Sequence, residues 1–560
     1  MNKLSKNRCF NECVENSVKN NWELFALCDY KGKQYRYKDV ATEIAKLHIL
    51  FSESGIEKGD RIAICGRNSA NWGIAFFASL TYGSVVVPIL NEFKPDQVHH
   101  IVEHSEAKIL FVGDVVKPTL NVDKMPNLKA MINIPDFSLA MSREEKIEET
   151  QSNLEKLFVE KYPSFSKENV CYYKNENPEE LALINYTSGT SGFSKGVMIP
   201  YRAIYSNLEF GFHVLGSDTK PGDKVLSILP MAHMYGMAFE FLYEFCAGIQ
   251  IYFLGKAPSP TIMLGAFAEI KPRLVVAVPL VIEKIVRKAI LPKLNEPAIK
   301  ILTKIPLVNQ LIYKKFRIGL QNALGGNFYE VIIGGAAFNA DIEKVLRKIK
   351  FNYTVGYGAT ECAPIITYED WKKFAQGSCG KQVINMEVKI DSKDPLHEVG
   401  EILARGENVM LGYYKNPEAT AEALDSEGWY HTGDLGLMDK KGNVFIKGRS
   451  KNMLLGASGQ NIYPEEIEDK LNNMPFVLES VVIQRDEKLY ALIVADVDAA
   501  KANGIEGKEA ILEQMEKNRK EINNLLANYE KLAGVKLMDE EFEKTPKKSI
   551  KRYLYTNVEI

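Results

Sequence analysis

The sequence is short of several things, and each shortage excludes something. It has no surplus of charge: 70 Lys and Arg stand against 72 Asp and Glu, a formal net charge of -2. Such a chain has no basic excess with which to neutralise a nucleic-acid backbone, so no nucleic-acid partner is expected and any anion must be held by a local site. None of the eight cysteines (Cys9, Cys13, Cys28, Cys65, Cys171, Cys246, Cys362, Cys379) belongs to a C-x-x-C pair. In a chain of this size they read as reduced thiols, which points to a cytoplasmic location. The first residues, MNKLSKNRCFNECVENSVKNN, lack the apolar core of an export signal. Long apolar runs are scarce as well. Asn68–Asn91 carries no charge for 24 residues, yet Gly73, Gly83 and Pro88 interrupt it. Its end, SVVVPIL, reads as a buried strand following a helix rather than as a membrane span.

What is present is an ordinary globular composition, 46% apolar and 25% charged, in 560 residues. That length exceeds what one hydrophobic core organises. From about residue 35 to 450, apolar runs such as RIAIC, KILFVG, LALIN, KVLSILP, IQIYFL and RLVVAVP alternate with helix-like stretches such as YRAIYSNLEF and ADIEKVLRKIK. The alternation predicts an α/β fold of mainly parallel sheets flanked by helices. The texture then changes. LGLMDKKGNVFIKG reads as a hairpin, GRSKNM as a charged connector and YPEEIEDKLNNM as a helix with Pro464 in its first turn. VLESVVIQRDEKLYALIVAD supplies two strands, and KEAILEQMEKNRKEINNLLANYEKL is helical. The expected organisation is a large N-terminal domain over 1–448, a hinge at 449–452 and a small α+β domain over 453–560.

One stretch, NYTSGTSGFSKGVMI (Asn185–Ile199), concentrates glycine, hydroxyls and a single lysine behind an apolar strand. Gly189, Gly192 and Gly196 let successive backbone N–H groups approach one anion. Thr187, Ser188, Thr190, Ser191 and Ser194 add donors, and Lys195 adds a point charge. A helix beginning near Pro200 is expected to add positive potential from its N-terminus. The Walker A spacing cannot be laid on it. A flexible Gly/Ser linker is the bland alternative, but linkers do not normally join a buried strand to an amphipathic helix.

This loop resembles the phosphate loop of the adenylate-forming (ANL) superfamily, and five further segments resemble that family's motifs in the same order. They are LPMAHMYGM (Leu229–Met237), IIGGAAFN (Ile332–Asn339), GYGATECAP (Gly356–Pro364), GWYHTGDLG (Gly428–Gly436) and GRSKNMLLGASGQNIYPEEIE (Gly448–Glu468). VAVPLVIEKIV (Val276–Val286) and the basic insert after it resemble the long-chain fatty acid–CoA ligases in particular.

The resemblance implies ATP, Mg²⁺ and coenzyme A as cofactor and co-substrates, and a fatty acid as the group activated. Thr187, Ser188, Gly189, Thr190, Ser191, Gly192 and Lys195 would hold the β- and γ-phosphates. Glu361 would bind Mg²⁺ with Thr190 near the same ion, and Thr360 would face the α-phosphate. Tyr357 and Gly358, with Gly334, Gly335 and Ala336, would pack against adenine. Asp434 and Arg449 would take the ribose, His233 would line the passage near the carboxylate, and Lys451 would be the hinge. Isolated, Glu361 could be a surface acid, Asp434 a turn cap and His233 a satisfied structural residue.

The family ends in a lysine within a Thr-Pro-x-Gly-Lys context, whereas this chain has EKTPKKSIKRYLY, with Ser549 at that lysine position. The expectation is that Lys548 substitutes, with Lys547 and Lys551 as alternatives. Two other acceptors or outcomes stay open: a carrier-protein pantetheine in place of CoA, and a nucleotide- or acyl-binding protein without turnover.

Two further patterns compete for attention. HIVEH (His100–His104) fits a zinc motif but lies in an amphipathic helical stretch without a partner acid. Between Lys271 and Arg317, eleven Lys and Arg face two Glu. That stretch reads either as a solvated face or as a surface for CoA phosphates or an anionic membrane. Peripheral membrane contact and a homodimer are both compatible with the sequence.

Overall fold

Mainly parallel sheets, sandwiched between helices, form most of the chain in the computed structural model, which describes residues 4–5, 7–175, 177–187, 195–255, 260–456, 460–545 and 550–560. The first sheet has eight strands, ordered Gly412–Tyr413, Lys195–Pro200, Leu181–Thr187, Val85–Ile89, Arg61–Cys65, Ile109–Val112, Ala130–Asn133 and Leu139–Ser142. Its five central strands run parallel, while the edges pair antiparallel. Buried on both faces, these strands need no polar alternation, which is why they read as continuous apolar runs.

The uncharged stretch is the interior of this sandwich. Its helix, Ala70–Tyr82, is capped by Ser69, which accepts from Trp72 N, and stops at Gly83 in the left-handed region at φ 94°. Nearly every residue in it is buried, so it has no polar face because it has no wet face. Among the described residues no helix is long and apolar enough to cross a membrane.

In a second parallel set Gln250–Phe253 lies between Lys224–Ser227 and Phe25–Asp29 and pairs with both. A bridge from Val225 to Leu274 links it to the parallel strands Val275–Ala277, Val331–Ile333 and Tyr353–Val355. Met386–Asp391, Gly400–Gly406, Tyr430–Met438 and Val444–Arg449 then form an antiparallel sheet. So the N-terminal part is not parallel throughout. The short turn at Asp439–Gly442 is what commits the last two of these strands to a hairpin.

The small C-terminal part has its own sheet, Val477–Arg485, Lys488–Ala495 and Leu532–Leu537, covered by the helices Pro464–Leu471 and Lys508–Asn523. The stretch expected to be helical to Leu532 stops at Asn523, and its end supplies the parallel third strand. The cores are separate. Ile462, Leu471, Val482, Ile493, Met515 and Leu532 pack together with no buried residue from before the connector. The large N-terminal clusters contain none from beyond it.

One expectation is corrected. The strand Lys195–Pro200 pairs antiparallel with Leu181–Thr187, Thr187 facing Lys195 and Leu181 facing Pro200. The helix Tyr201–Leu215 therefore starts at the far end of this hairpin from the Gly/Ser loop, about 17 Å away at the rise of a strand. Its N-terminus adds no potential there.

Candidate active site

The motif residues converge where parallel strands end. Val331–Ile333 runs out into Gly334–Ala337, and Tyr353–Val355 into Tyr357 and Gly358. The carboxyl ends of parallel strands are where open α/β sheets receive ligands. Gly335, Ala336 and Ala337 are exposed there. Gly334 is buried against Tyr235, whose ring would stand 3.1 Å from any Cβ at that position. Tyr235 in turn donates from its phenol to Ile332 O at 3.1 Å. At Gly358 a Cβ would collide with the Pro364 carbonyl. Both glycines thus answer to close approach rather than to a turn.

Asp434 lies on the strand Tyr430–Met438 and is 6% exposed. Tyr357 Oη donates to its Oδ2 at 2.7 Å, and Arg449 Nε stands 2.9 Å from Oδ1. Burial pushes the carboxyl above its ordinary value. Arg449 and Tyr357 pull it back, and Glu361 adds a smaller upward push. Four predicted residues therefore share one electrostatic neighbourhood. Both Asp434 oxygens are already engaged, but a carboxylate offers about four acceptor sites, so two ribose hydroxyls can still be accommodated. Tyr357 is itself buried.

Glu361 sits in the short turn Thr360–Cys362. Its Oε1 accepts from Tyr413 Oη at 3.0 Å, and Lys195 Nζ lies 4.8 Å over the Tyr413 ring. Lys195 and Thr187 face each other at the base of the hairpin. The turn is fixed by residues that no motif announced. Asn207 donates to Cys362 O and accepts from Ile365 N, and Asn408 donates to Ile365 O at 2.7 Å. Their signal was weak: two asparagines inside otherwise apolar surroundings, whose buried amides must find partners.

His233 caps a short helical turn, its Nδ1 accepting from Tyr235 N at 3.2 Å. Three side chains, Glu240 and Asn185 buried and Asn68 half-buried, clamp the loop that carries it. Glu240 accepts from Ser227 Oγ, Ile228 N and Leu229 N at 2.9 to 3.2 Å. Asn68 donates to Leu229 O and accepts from Met231 N. Asn185 donates to Ala232 O at 3.0 Å. Burial pushes the Glu240 carboxyl up to about 8 against the pull of those three donors. Sequence reasoning missed Glu240 and Asn68.

Ser188, Gly189, Thr190, Ser191, Gly192 and Lys548, with Lys547 and Ser549, lie outside the described residues. Lys551 is described, and it is paired with Glu543. Lys451 lies in the single turn Ser450–Asn452, next to Ser450, which donates to Gly433 O at 3.1 Å. Thr360 is buried. In HIVEH the side chains serve other partners: Glu103 accepts from Asn127, and His104 Nδ1 meets Tyr186 Oη at 2.7 Å.

The donor set fits magnesium. Glu361 offers one carboxylate beside a phenol and a lysine, and Mg²⁺ is commonly held by one or two carboxylates together with substrate phosphates and water.

Parallel strands whose carboxyl ends lead to an acid fixed by a tyrosine and an arginine, with a second acid in the same electrostatic neighbourhood, suit an adenylating enzyme. The chain belongs to the AMP-binding enzyme family, whose description matches residues 14–414. It is 27% identical over 490 residues to the long-chain-fatty-acid–CoA ligase FadD15 of Mycobacterium bovis, covering 82% of this chain and 77% of that one. It is 28% identical over 510 residues to long-chain-fatty-acid–CoA ligase 5 of Rattus norvegicus, covering 82% and 72%. Its fold is shared with the anthranilate CoA ligase AuaEII solved with anthranoyl-AMP (TM-score 0.77, 19% identity, 98% and 96% covered). ATP-bound MatB from Rhodopseudomonas palustris is similar too (TM-score 0.75, 20% identity, 98% and 99% covered).

Proposed function

We propose that this protein is a long-chain fatty acid–CoA ligase that works through an acyl-AMP. The observation that carries the reading is the trio Tyr357, Asp434 and Arg449, felt electrostatically by Glu361, which in turn is bonded to Tyr413 beneath Lys195. The names of the two ligase relatives support the long-chain acid.

A carboxylate is a poor electrophile because its charge is delocalised and its oxygen leaves badly. Its attack on the α-phosphorus of ATP expels pyrophosphate and leaves an acyl-AMP, whose phosphate is a good leaving group. The CoA sulfur then attacks the acyl carbonyl, AMP departs and the thiol proton goes to solvent. In this scheme Asp434 and Arg449 orient the ribose, and Gly334–Ala337 with Tyr357 form the base's seat. Lys195 and the hairpin tip neutralise the outer phosphates, and His233 borders the carboxylate. Mg²⁺, when bound at Glu361, offsets charge on the phosphate oxygens. Positioning and charge neutralisation are what such a displacement chiefly requires. Lys548 is the lysine assigned to the α-phosphate. Residues 449–452 are the hinge on which the part from 453 onward turns between the half-reactions, so one cleft serves two chemistries.

The test is turnover of the purified protein with ATP, Mg²⁺ and fatty acids of graded length, with and without CoA. Pyrophosphate and AMP are followed, and the acyl product is identified by mass. AMP and acyl-CoA forming together, CoA-dependent and faster with longer acids, is the expected result. Pyrophosphate without acyl-CoA moves the acceptor to a carrier protein, preference for an aromatic acid replaces the substrate, and absence of turnover sinks the proposal.

A further inference from the structure

HIVEH fits a zinc motif, but its last histidine has a different partner. His104 ends the helix Pro95–His104. Its Nδ1 meets the Tyr186 phenol at 2.7 Å, and the two rings stand edge to face, 5.9 Å apart. Tyr186 is 3% exposed, so its hydroxyl needs a partner inside the protein. Tyr186 lies opposite Gly196 in the hairpin, one pair behind Thr187 and Lys195. A Cβ on Gly196 would stand 3.1 Å from the Tyr186 ring and 2.9 Å from Ile184 Cγ2. Glycine inside a strand weakens it; here it leaves room for the ring whose phenol meets the histidine.

The other edge of the strand Lys195–Pro200 is tied to the same helix. Tyr414 N donates to Gly196 O at 2.7 Å. Next to it, Lys415 Nζ donates to His104 O at 3.1 Å, a carbonyl of the kind a helix end leaves without a helical partner. The Tyr414 ring also stands edge to face with His104, 5.6 Å between centroids. Glu106 braces this strap: Tyr414 Oη donates to it at 3.2 Å, and Lys415 and Arg61 stand 3.0 and 2.8 Å from it. The contacts close a ring, from His104 through Tyr186, Gly196, Tyr414 and Lys415 back to His104. Its neighbours in the chain are the residues proposed for phosphate and metal. Tyr413, just before Tyr414, donates to Glu361 and lies under Lys195.

We propose that His104 is a positioning residue for this hairpin: through Tyr186 and Gly196 it fixes where Thr187 and Lys195 stand. This role rests on the proposed function, in which the hairpin neutralises the outer phosphates of ATP. It does not depend on which acid is activated or on the thiol that accepts it. His104 stands a tyrosine ring and one residue pair behind Lys195, so it acts through the hairpin and not on the nucleotide. Its effect is then confined to what the hairpin holds. AMP lacks the β- and γ-phosphates, so loss of the bond should be felt by ATP and be nearly silent for AMP. A residue that only stabilised the fold would affect both nucleotides alike, or neither.

The experiment is calorimetric titration of the full-length protein with Mg²⁺-ATP and with AMP, joined to the steady-state KM for ATP and for the acid. His104→Leu should weaken ATP binding by about five- to tenfold, the worth of one buried hydrogen bond, and leave AMP within about twofold. KM for ATP should rise in step while KM for the acid stays. His104→Asn keeps a polar atom near the place of Nδ1 and should bring ATP affinity back to within about twofold of the wild type. Tyr186→Phe should reproduce His104→Leu, and the double variant should be no worse than either single one, because both remove the same bond. Tyr186→Phe also keeps the packing ring, and it carries the test if the leucine variant fails to fold. Equal loss of ATP and AMP, failure of His104→Asn to rescue, or additive single variants would overturn the proposal. Wild-type protein that binds no ATP would end the nucleotide reading and this role with it. The ATP-against-AMP difference, found in a protein that turns over no fatty acid, would uphold the role of His104 while the proposed reaction falls.

Discussion

The Tyr357 phenol donates to Asp434 at 2.7 Å, joining residues 77 positions apart in sequence. The bond ties the end of one parallel strand to the antiparallel sheet that follows it. Burial raises the proton affinity of Asp434, and Arg449 and Tyr357 act to keep it ionised.

The linkage has a sign. An acid whose folded value is raised contributes stability below its ordinary carboxylate value, and loses that contribution as pH rises through the raised one. A function that needs the carboxylate appears over the same window. Tyr357→Phe removes a donor that lowers the Asp434 value, so the acid limb of kcat/KM should move to higher pH. Asp434→Asn should lower kcat/KM for ATP by about 10- to 100-fold, the worth of hydrogen bonds to a charged group. Its melting temperature should not fall, because a buried charge has been removed. Unchanged pH profiles with Tyr357→Phe would separate the phenol from the function of Asp434.

Glu361 and Tyr413 form the second pair, with Lys195 above the ring. Glu361→Gln keeps the hydrogen bond and removes the charge. The expected outcome is a loss of about 10²-fold or more in pyrophosphate release, partly restored by higher Mg²⁺, in the range that loss of a transition-state electrostatic contact produces. Tyr413→Phe should cost about tenfold or less, because it removes one neutral donor and leaves the carboxylate. A Glu361→Gln enzyme with wild-type Mg²⁺ dependence would remove this residue from the metal site.

Much of this site was legible because its residues recur at fixed offsets in glycine-rich segments. The strands were legible because burial on both faces leaves nothing but apolar residues. The supporting residues were not. Asn68, Asn207, Asn408 and Glu240 act across more than ten residues of sequence, and a single buried or half-buried polar residue has no periodicity to betray it. The start of the helix Tyr201–Leu215 was expected beside the Gly/Ser loop, because strand and helix were read as neighbours without the intervening strand Lys195–Pro200. Its residues KGVMIP look like the tail of a loop until pairing with Leu181–Thr187 makes them a strand.

Glu240 offers a test of support against chemistry. Its neutral form can keep accepting from Leu229 N while donating to Ser227, which suits a carboxyl pushed up to about 8. Glu240→Gln should therefore be close to wild type in stability and turnover. Glu240→Ala strands two backbone N–H groups and should destabilise the protein by about 2 to 4 kcal/mol. With the loop bearing His233 released, kcat should fall more than KM for ATP rises, since the contacts proposed for ATP lie on other elements. A Glu240→Ala enzyme that loses stability but keeps kcat would leave His233 without a role in positioning the carboxylate.

Among the described residues, the polar contacts between the small C-terminal part and the large one include Lys447 Nζ to Glu466 Oε1 at 2.9 Å, beside the hinge, and two farther from it. Asn339 donates to Asp469 Oδ1 at 2.8 Å, and Arg287 donates to Asn473 Oδ1 at 3.0 Å. Asn339 also caps the helix Ala340–Lys348, its side chain accepting from Asp341 and Ile342 N, so its amide oxygen serves the helix and its amide nitrogen serves the contact. Burial pushes the Asp469 carboxyl up, with Arg287 and Lys344 pulling the other way. Asp469→Ala removes the contact and leaves the cap intact, so the large part should melt normally. If the arrangement seen here serves adenylation, the variant should slow pyrophosphate release severalfold while thioester formation from supplied acyl-AMP and CoA is unchanged or faster. Slowing of both half-reactions alike would show that the contact is structural, and slowing of thioester formation alone would assign this arrangement to the second step.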